Sequence, residues 1–257
     1  LYFHNDPLSM DGSKSVEQRK LLLKICYKII FNSTWSKKRF LEGLDNKFIN
    51  SNKLAVFYQS AEKSSLSIID KKSKWITFVG KLNKAKGYDI FAQAITKILN
   101  KHQDWKAIII GDEKREKITL KHSNAKILGF KKHNEVLKIF KKTSITVACS
   151  RWEEPFGRTS LEASANGCAV IITNKGGLPE TVTDAKILHT LNTKNLIKTI
   201  DELISKTKIR KTLQKLSIKN FYLTHKFVSN LIDEYRSEKL VLNRNFFVKL
   251  KNKSLRI

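Results

Sequence analysis

The chain has 257 residues, of which 41% are hydrophobic and 28% are charged. Lys and Arg together number 50 against 23 Asp and Glu, so the formal net charge is +27. The apolar fraction suffices for a hydrophobic core and excludes a disordered polycation. The contents of 3 Pro and 10 Gly exclude a collagen-like or low-complexity chain.

The first 60 residues contain too few predicted elements for a complete domain. Two helices and two short strands are predicted there: Ser15–Tyr27, Thr34–Leu44, Ile29–Phe31 and Leu54–Tyr58. The chain also opens without an initiator Met. We therefore expect residues 1–60 to be the remnant of a domain that is truncated on its N-terminal side.

From Trp75 onward, short apolar runs alternate with amphipathic patterns. Six runs are predicted to be strands: Trp75–Val79, Lys106–Ile110, Lys126–Leu128, Ile145–Cys149, Ala169–Thr173 and Lys186–Leu188. Helices are predicted between or after them: Tyr88–Lys101, Asn134–Lys142, Thr159–Asn166, Leu178–Thr183 and Thr193–Ser205. Apolar strands that alternate with helices form parallel sheets covered on both faces. The pattern therefore predicts an α/β fold, with a doubly wound, Rossmann-like parallel sheet in residues 61–230.

The C-terminal part has helical periodicity from Lys208 to Val248, and we treat residues 231–257 as a basic helical tail. Its basic stripe could lie on a membrane, but packing of its apolar side chains onto the domain is the favoured interpretation. No apolar run reaches the roughly 20 residues that a membrane-spanning helix needs.

The three cysteines, Cys26, Cys149 and Cys168, each lie in an apolar run and form no C-x-x-C pair. We interpret them as buried small hydrophobic residues rather than as disulfide partners or zinc ligands. This usage of cysteine predicts a reducing environment, and hence a cytoplasmic protein.

The positive charge does not by itself indicate nucleic-acid binding. Lys far outnumbers Arg and is scattered through nearly every segment, whereas Arg is the better residue for reading bases or gripping phosphates. Zinc-finger spacing, a basic zipper and an aromatic RNA-binding motif are all missing from the sequence. We therefore expect no nucleic-acid partner, and a peripheral contact with an anionic membrane surface is the better interpretation of the charge.

Ligands of open parallel sheets bind at the carboxyl ends of the strands. After the strand Trp75–Val79 comes the loop Gly80–Gly87, in which Lys81 and Lys86 flank a turn that leads into a helix. The loop lacks the Lys-Ser or Lys-Thr ending of a P-loop. Lysines at this place can neutralise a diphosphate, although solvated surface lysines are an equally good interpretation of this loop alone.

The loop after Ile145–Cys149 combines two acids with the start of a helix. Pro155 disfavours a helical conformation at Glu154, and the next helix begins near Gly157, where free N–H groups form an anion site. Glu162 follows in the first or second turn. Acids beside an anion site suit a ligand that carries hydroxyls as well as phosphate. A capping Glu162 and an exposed loop Glu154 are the structural alternatives.

Seven segments carry the motifs of a known family when they are taken together. They are Phe78–Leu82, Lys86–Gly87, Ile110–Asp112, Ile127–Phe130, Glu154–Ala163, Ala165–Ile171 and Gly176–Glu180. In this order and at this spacing, they resemble the glycosyltransferases of family 4, which have the two-Rossmann-domain (GT-B) architecture. The strongest part is the E-x7-E motif of Glu154 and Glu162. The resemblance implies that the first 60 residues belong to a second Rossmann-like domain, on the acceptor side.

In that family, basic residues at the positions of Lys81 and Lys86 bind the diphosphate of a nucleotide-sugar donor, next to Gly80. The first of them is usually Arg, so Lys81 is a departure that loses a bidentate grip. The acid that matches Glu162 holds the ribose hydroxyls. The segment that begins at Ile127 lines the nucleobase.

The resemblance implies further contacts with the donor sugar. The acid that matches Glu154 contacts this sugar, and the backbone of Phe156, Gly157 and Arg158 approaches sugar and phosphate. His4 lies in a segment that resembles a strand-to-loop region of the partner domain, where a His often faces the donor sugar. We therefore expect Glu154 and His4 to be the catalytic residues.

The resemblance implies a retaining glycosyltransferase that needs no metal or other cofactor and acts on a glycan or glycolipid acceptor. Cell-surface polysaccharide or lipopolysaccharide assembly at the inner face of the membrane is the expected setting. We expect this chain to be complete for donor binding and deficient for acceptor binding. One alternative is a glycoside hydrolase, but eight residues of helix would separate its carboxylates by about 12 Å, beyond the roughly 5–9.5 Å that such enzymes use. A loop conformation at Glu154 could close that gap, but a hydrolase would leave the phosphate-binding features unexplained. Another is a basic nucleotide- or nucleic-acid-binding module without catalysis.

Overall fold

A computed structural model describes residues 1–237, and within them the chain forms two separate parallel sheets. The smaller sheet belongs to the N-terminal part. Its three strands are β1 (Tyr2–Phe3), β2 (Ile29–Phe31) and β3 (Leu54–Val56), and its two helices are α1 (Val16–Ile25) and α2 (Thr34–Leu41). The aromatic rings of Phe3, Phe31 and Phe40 pack together as the core of this part.

Three predicted elements of the N-terminal part are shorter than expected. Helix α1 covers Val16–Ile25 and not Ser15–Tyr27, because Ser15 is its N-cap and Cys26 is already extended. Helix α2 ends at Leu41 and not at Leu44, because Glu42 leaves the helical conformation and Gly43 takes a positive φ of 74°. Strand β3 ends at Val56 and not at Tyr58, because its partner β2 is only three residues long.

The larger sheet contains six strands within the described residues. They are β4 (Ser73–Val79), β5 (Lys106–Ile110), β6 (Ala125–Ile127), β7 (Thr143–Ala148), β8 (Ala169–Thr173) and β9 (Ala185–Leu188). All pair in parallel, in the order β6-β5-β4-β7-β8-β9. The strand order therefore reverses between β4 and β7, as it does in Rossmann-like folds.

Helices cover both faces of the larger sheet. They are α3 (Tyr88–Lys101), α4 (His133–Lys142), α5 (Arg158–Ala165), α6 (Thr193–Ser205) and α7 (Thr207–Lys219). Phe91 of α3 and Leu203 of α6 belong to the core on one face, and Phe140 of α4 and Ala163 of α5 belong to the core on the other. The predicted fold class, an α/β doubly wound parallel sheet, is confirmed.

The predicted helix Leu178–Thr183 is wrong in type. Leu178–Thr181 forms a 3₁₀ turn, with Pro179 at its start and Val182 already extended. The other strands and helices between Ser73 and Ser205 match their predicted bounds to within two residues.

Helical structure in the C-terminal part is interrupted. Helix α7 ends at Lys219, and a second helical stretch covers 225–237. The connection is extended because Phe221 and Leu223 turn into the cluster around Phe156. Tyr235 then packs edge-on against Phe57, with 5.0 Å between ring centroids. Residues 238–257, which hold most of the predicted basic tail, lie outside the described residues.

Cys149 and Cys168 are fully buried and Cys26 is partly buried, and all three are free thiols. Burial raises the pKa of the Cys149 thiol to about 12, so this thiol stays protonated and behaves as a small apolar group. In the described part of the chain, no helix is both long enough and apolar enough to cross a membrane.

Candidate functional site

The candidate site lies at the carboxyl ends of β4 and β7, where the strand order reverses. The loops that follow these strands enclose a cavity of about 120 Å³, which we name the inner cavity. Five of the residues predicted from the sequence line it: Gly80, Lys86, Glu154, Gly157 and Arg158. The fold therefore brings together two loops that are more than 60 residues apart in the chain.

Main-chain hydrogen bonds fasten these two loops to each other. The carbonyl oxygen of Ala85 accepts hydrogen bonds from the N–H groups of Arg151 at 2.9 Å and Trp152 at 3.1 Å. Gly87 precedes α3 with a φ of 72°, and a Cβ there would lie 2.0 Å from the carbonyl oxygen of Cys149. Glycine is required at this position because any side chain would push the loops apart.

The loop contact places Lys86 directly against Glu154. The Nζ of Lys86 lies 2.5 Å from Oε1 of Glu154, and the Glu154 side chain is largely buried while that of Lys86 is one third exposed. Both line the inner cavity. An anion that entered this cavity would compete with Glu154 for the ammonium group, and the freed carboxylate could then accept hydrogen bonds from hydroxyls.

The N-terminus of α5 forms another wall of the inner cavity. Gly157 precedes the helix with a φ of 123°, and a Cβ there would lie 2.5 Å from Cδ2 of Leu178. The first hydrogen bond within α5 runs from the N–H of Leu161 to the carbonyl of Gly157. The N–H groups of Arg158 and Thr159 precede it, and both residues line the cavity. The positive end of the helix dipole therefore faces this space.

Glu162, the second acid of the E-x7-E motif, is 6% exposed and carries two cationic or polar partners. Its Oε1 accepts hydrogen bonds from Arg158 at 2.8 Å (Nη2) and 3.1 Å (Nε), and it lies 3.0 Å from Nε2 of His133. Sequence reasoning missed His133, because nothing in the sequence shows that the start of α4 lies beside α5. The capping role that was the alternative for Glu162 is not observed.

A second space adjoins the inner cavity, and we name it the lateral cavity. It measures about 300 Å³ and shares Val79 and Gly80 with the inner cavity. The remaining lining residues are Lys81, Ile110, Gly111, Asp112, Phe130, Lys131 and Val136. Lys86 thus lines the inner cavity and Lys81 the lateral cavity, while Gly80 lines both.

Three other predicted site residues lie elsewhere. Ile127 is 46% exposed at the end of the edge strand β6 and, among the described residues, lies outside both cavity linings, whereas Phe130 lies in one. His4 is exposed after β1, with its ring 4.1 Å from that of Tyr2, and it lines neither cavity. Phe156 is buried, and its ring stacks on Tyr58. Phe156 belongs to neither cavity lining.

Glu180 joins the two parts of the chain, a role that sequence reasoning missed. Its carboxylate accepts hydrogen bonds from the N–H groups of Thr34 at 2.7 Å and Trp35 at 2.8 Å, and from the hydroxyl of Tyr58 at 3.0 Å. Thr34 is the first residue of α2, so an acid from the larger sheet caps a helix of the smaller one. Burial raises the pKa of the Tyr58 hydroxyl, which remains a donor to this carboxylate.

Replacing Glu180 by alanine is expected to lower the free energy of unfolding by about 1–2 kcal/mol, because two N–H groups of α2 lose their acceptor. Urea unfolding followed by circular dichroism measures this change. Glu180→Gln keeps one acceptor oxygen, so its free energy of unfolding should lie between those of the parent chain and of Glu180→Ala. A Glu180→Ala variant as stable as the parent would show that the contact contributes nothing to holding the two parts together.

A doubly wound sheet that faces a second parallel sheet is the architecture of the GT-B glycosyltransferases. Residues 59–220 match the family model described as glycosyl transferases group 1. This match covers more than half of the chain, so the chain belongs to that family.

Individual relatives agree with the family assignment. Spore coat protein SA of Bacillus subtilis is 30% identical over 161 residues, which are 56% of this chain and 43% of that protein. The lipopolysaccharide core biosynthesis mannosyltransferase LpsB of Rhizobium meliloti is 29% identical over 153 residues, 56% of this chain and 42% of that protein. The chain thus spans less than half the length of these relatives.

The solved structures share the fold. Anabaena HepE in complex with UDP superimposes with a TM-score of 0.76 over 92% of this chain and 71% of that chain, at 20% sequence identity. At this level of sequence identity, the structural similarity is evidence for a shared fold only. The two-part architecture of this chain therefore has counterparts among solved glycosyltransferase structures.

Proposed function

We propose that this chain is the donor-binding part of a retaining glycosyltransferase of family 4 type, which transfers a sugar from a nucleotide diphosphate sugar to a glycan or glycolipid acceptor. One observation carries the proposal. Lys86, Glu154 and the positive end of α5 line one cavity, at the place where the strand order reverses. This combination suits a diphosphate and a sugar that lie side by side.

Each part of the site has a chemical role in this proposal. Lys86 and the N–H groups at the start of α5 stabilise the negative charge that develops on the departing diphosphate. Glu154, released from Lys86, accepts hydrogen bonds from the donor sugar, and Glu162 accepts them from the ribose. The lateral cavity, next to Lys81, offers an aromatic ring at Phe130 and room for the nucleobase.

The retaining course and the independence of metal are parts of the proposal that the resemblance to family 4 implies. The diphosphate leaves on the same face of the sugar on which the acceptor oxygen arrives. Here lysine and the helix dipole neutralise the charge that a metal ion neutralises in other enzymes. A catalytic role of His4 also remains part of the proposal, although His4 lines neither the inner nor the lateral cavity.

For the biological setting, we infer cell-surface polysaccharide or lipopolysaccharide assembly at the cytoplasmic face of the membrane. The name of the Rhizobium meliloti relative supports this setting. The net charge of +27 supports a peripheral contact with anionic lipids.

Isothermal titration calorimetry with UDP, GDP and ADP tests whether the chain binds a nucleotide, as the proposal requires. We expect one of the three to bind with a dissociation constant at least about tenfold lower than the others. The matching nucleotide sugar should bind competitively with it. Absence of binding by all three would overturn the proposal. Binding of a nucleotide without competition by any of its sugar derivatives would favour the alternative of a nucleotide-binding module.

A further inference from the structure

The carboxylate of Glu162 accepts hydrogen bonds on one oxygen only, within the residues that the structure describes. Its Oε1 accepts two from the guanidinium of Arg158 and lies 3.0 Å from Nε2 of His133. An ionised carboxylate can only accept, so Nε2 of His133 carries the proton of this contact. The other oxygen, Oε2, is left to accept hydrogen bonds from a ligand, and 8% of the Glu162 side chain is exposed.

The packing of α4 places His133 at this carboxylate. Val136 and Phe140 follow His133 by three and seven residues, so all three lie on one face of the helix. Val136 and Phe140 are buried in the same core as Ala163 of α5. His133 is the first residue of α4, and it prolongs the buried face to the end of the helix that lies beside Glu162.

The ribose of the proposed donor would lie where the inner and lateral cavities adjoin. It links the diphosphate, which the proposed function places in the inner cavity, to the nucleobase in the lateral cavity. Arg158 belongs to the first lining, and Lys131 and Val136 belong to the second. Glu162 is held between Arg158 and the start of α4, so its carboxylate lies next to both linings.

The two groups that hold Oε1 differ in how a bound diphosphate would affect them. Arg158 lines the inner cavity, so a diphosphate there would compete with Glu162 for its guanidinium. His133 lines neither the inner nor the lateral cavity. It also comes from a different helix, so it can keep its contact with Oε1 when Arg158 turns towards the diphosphate. His133 is therefore the partner that can orient the carboxylate while the nucleotide is bound.

We propose that His133 is a positioning residue of the nucleotide site, which holds Oε1 of Glu162 so that Oε2 faces the ribose hydroxyls. The inference rests on the proposed function. It adds to that function a residue from α4 and a specificity, namely selection against nucleotides that lack the ribose hydroxyls.

Titration calorimetry of this chain with its preferred nucleoside diphosphate, with the dideoxy counterpart that lacks both ribose hydroxyls, and with inorganic pyrophosphate tests the proposal. We expect the parent chain to bind the ribonucleotide at least about tenfold more tightly than the dideoxynucleotide. His133→Ala should lower this ratio about fivefold, because Arg158 alone then holds Glu162. Pyrophosphate binding should stay within about twofold of the parent chain. His133→Gln, which keeps an N–H donor near the position of Nε2, should recover most of the lost preference.

A double-mutant cycle separates this role from a general effect of the substitution. In the Glu162→Ala background, adding His133→Ala should change the ratio less than about twofold, because His133 acts through the missing carboxylate. Asn134→Ala is the matched control. Asn134 is the next residue of α4, is exposed, and lies outside the inner and lateral cavity linings, so this variant should keep the ratio of the parent chain.

An unchanged ratio in His133→Ala, an equal fall in Asn134→Ala, or no recovery in His133→Gln would overturn the proposal. A further fall on adding His133→Ala to Glu162→Ala would overturn it as well. So would a parallel loss of nucleotide and pyrophosphate binding in His133→Ala, since His133 would then shape the anion site. A parent chain that binds the nucleotide without preferring the ribose hydroxyls would remove the ribose contact and this inference, and leave the anion site standing. Absence of nucleotide binding would instead remove the proposed function.

Discussion

Replacing Lys86 by methionine is expected to weaken binding of the preferred nucleoside diphosphate by about 30- to 100-fold, or ~2–3 kcal/mol. The variant loses a charge-assisted contact with the diphosphate. It also leaves Glu154, now 2.5 Å from Lys86 Nζ, without its partner and facing the same anion. Methionine keeps the length of the side chain, so the loss reports on charge rather than on packing. Titration calorimetry with the nucleotide and with inorganic pyrophosphate measures both effects.

Lys84 provides the matched control for this experiment. It lies two residues earlier in the same loop, is exposed, and lies outside the inner and lateral cavity linings. Lys84→Met removes the same charge from the protein as a whole and should change either affinity less than about twofold. Equal losses in the two variants would mean that the net charge of +27 attracts the nucleotide, and that Lys86 has no specific place in the site.

The fold of the larger sheet could be predicted because its strands are continuous apolar runs. Strands β5 and β8 are buried along most or all of their length, so their residue pattern changes sharply where they end. Helices α3 and α6 are strongly amphipathic and have the predicted bounds. The 3₁₀ turn at Leu178 was predicted to be a helix because a single turn and the start of a helix look alike in sequence.

The candidate site was predictable where its residues lie on one loop, and less so where it depends on contacts between distant segments. Glu154, Gly157 and Glu162 belong to one short motif whose spacing is visible in the sequence. The pairing of His133 with Glu162 depends on how α4 packs beside α5. The capping of α2 by Glu180 depends on how the two sheets face each other. Neither contact produces a local pattern in the amino-acid sequence.

The predicted roles of all the site residues, Lys81, Ile127 and His4 among them, remain predictions. Lys81 lines the lateral cavity, whereas Lys86 lines the inner cavity. Ile127 ends an edge strand and is half exposed, while Phe130, three residues later, lies in the cavity lining. A motif that spans a strand end thus indicates the region of the site, but it does not show which of its side chains line the cavity.

Replacing Glu162 by alanine should weaken binding of the same nucleotide by about 10- to 30-fold, or ~1.5–2 kcal/mol, because the ribose loses a charged hydrogen-bond acceptor. Binding of inorganic pyrophosphate should stay within about twofold of the parent chain, because the anion site at Lys86 and α5 remains. The two calorimetric titrations therefore separate the ribose contact from the diphosphate contact. In Lys86→Met, by contrast, both probes should lose affinity.

Weaker nucleotide binding by Glu162→Ala could come from loss of the fold rather than from loss of the ribose contact, so the two must be distinguished. Glu162 is buried, but the side chains of its partners Arg158 and His133 are 59% and 55% exposed, so water can solvate them when the carboxylate is gone. Urea unfolding should therefore show a two-state transition near that of the parent. Glu162→Gln, which keeps an acceptor oxygen, should recover part of the nucleotide affinity. If pyrophosphate binding falls in parallel with nucleotide binding in the alanine variant, Glu162 organises the anion site through Arg158, and the ribose contact is refuted.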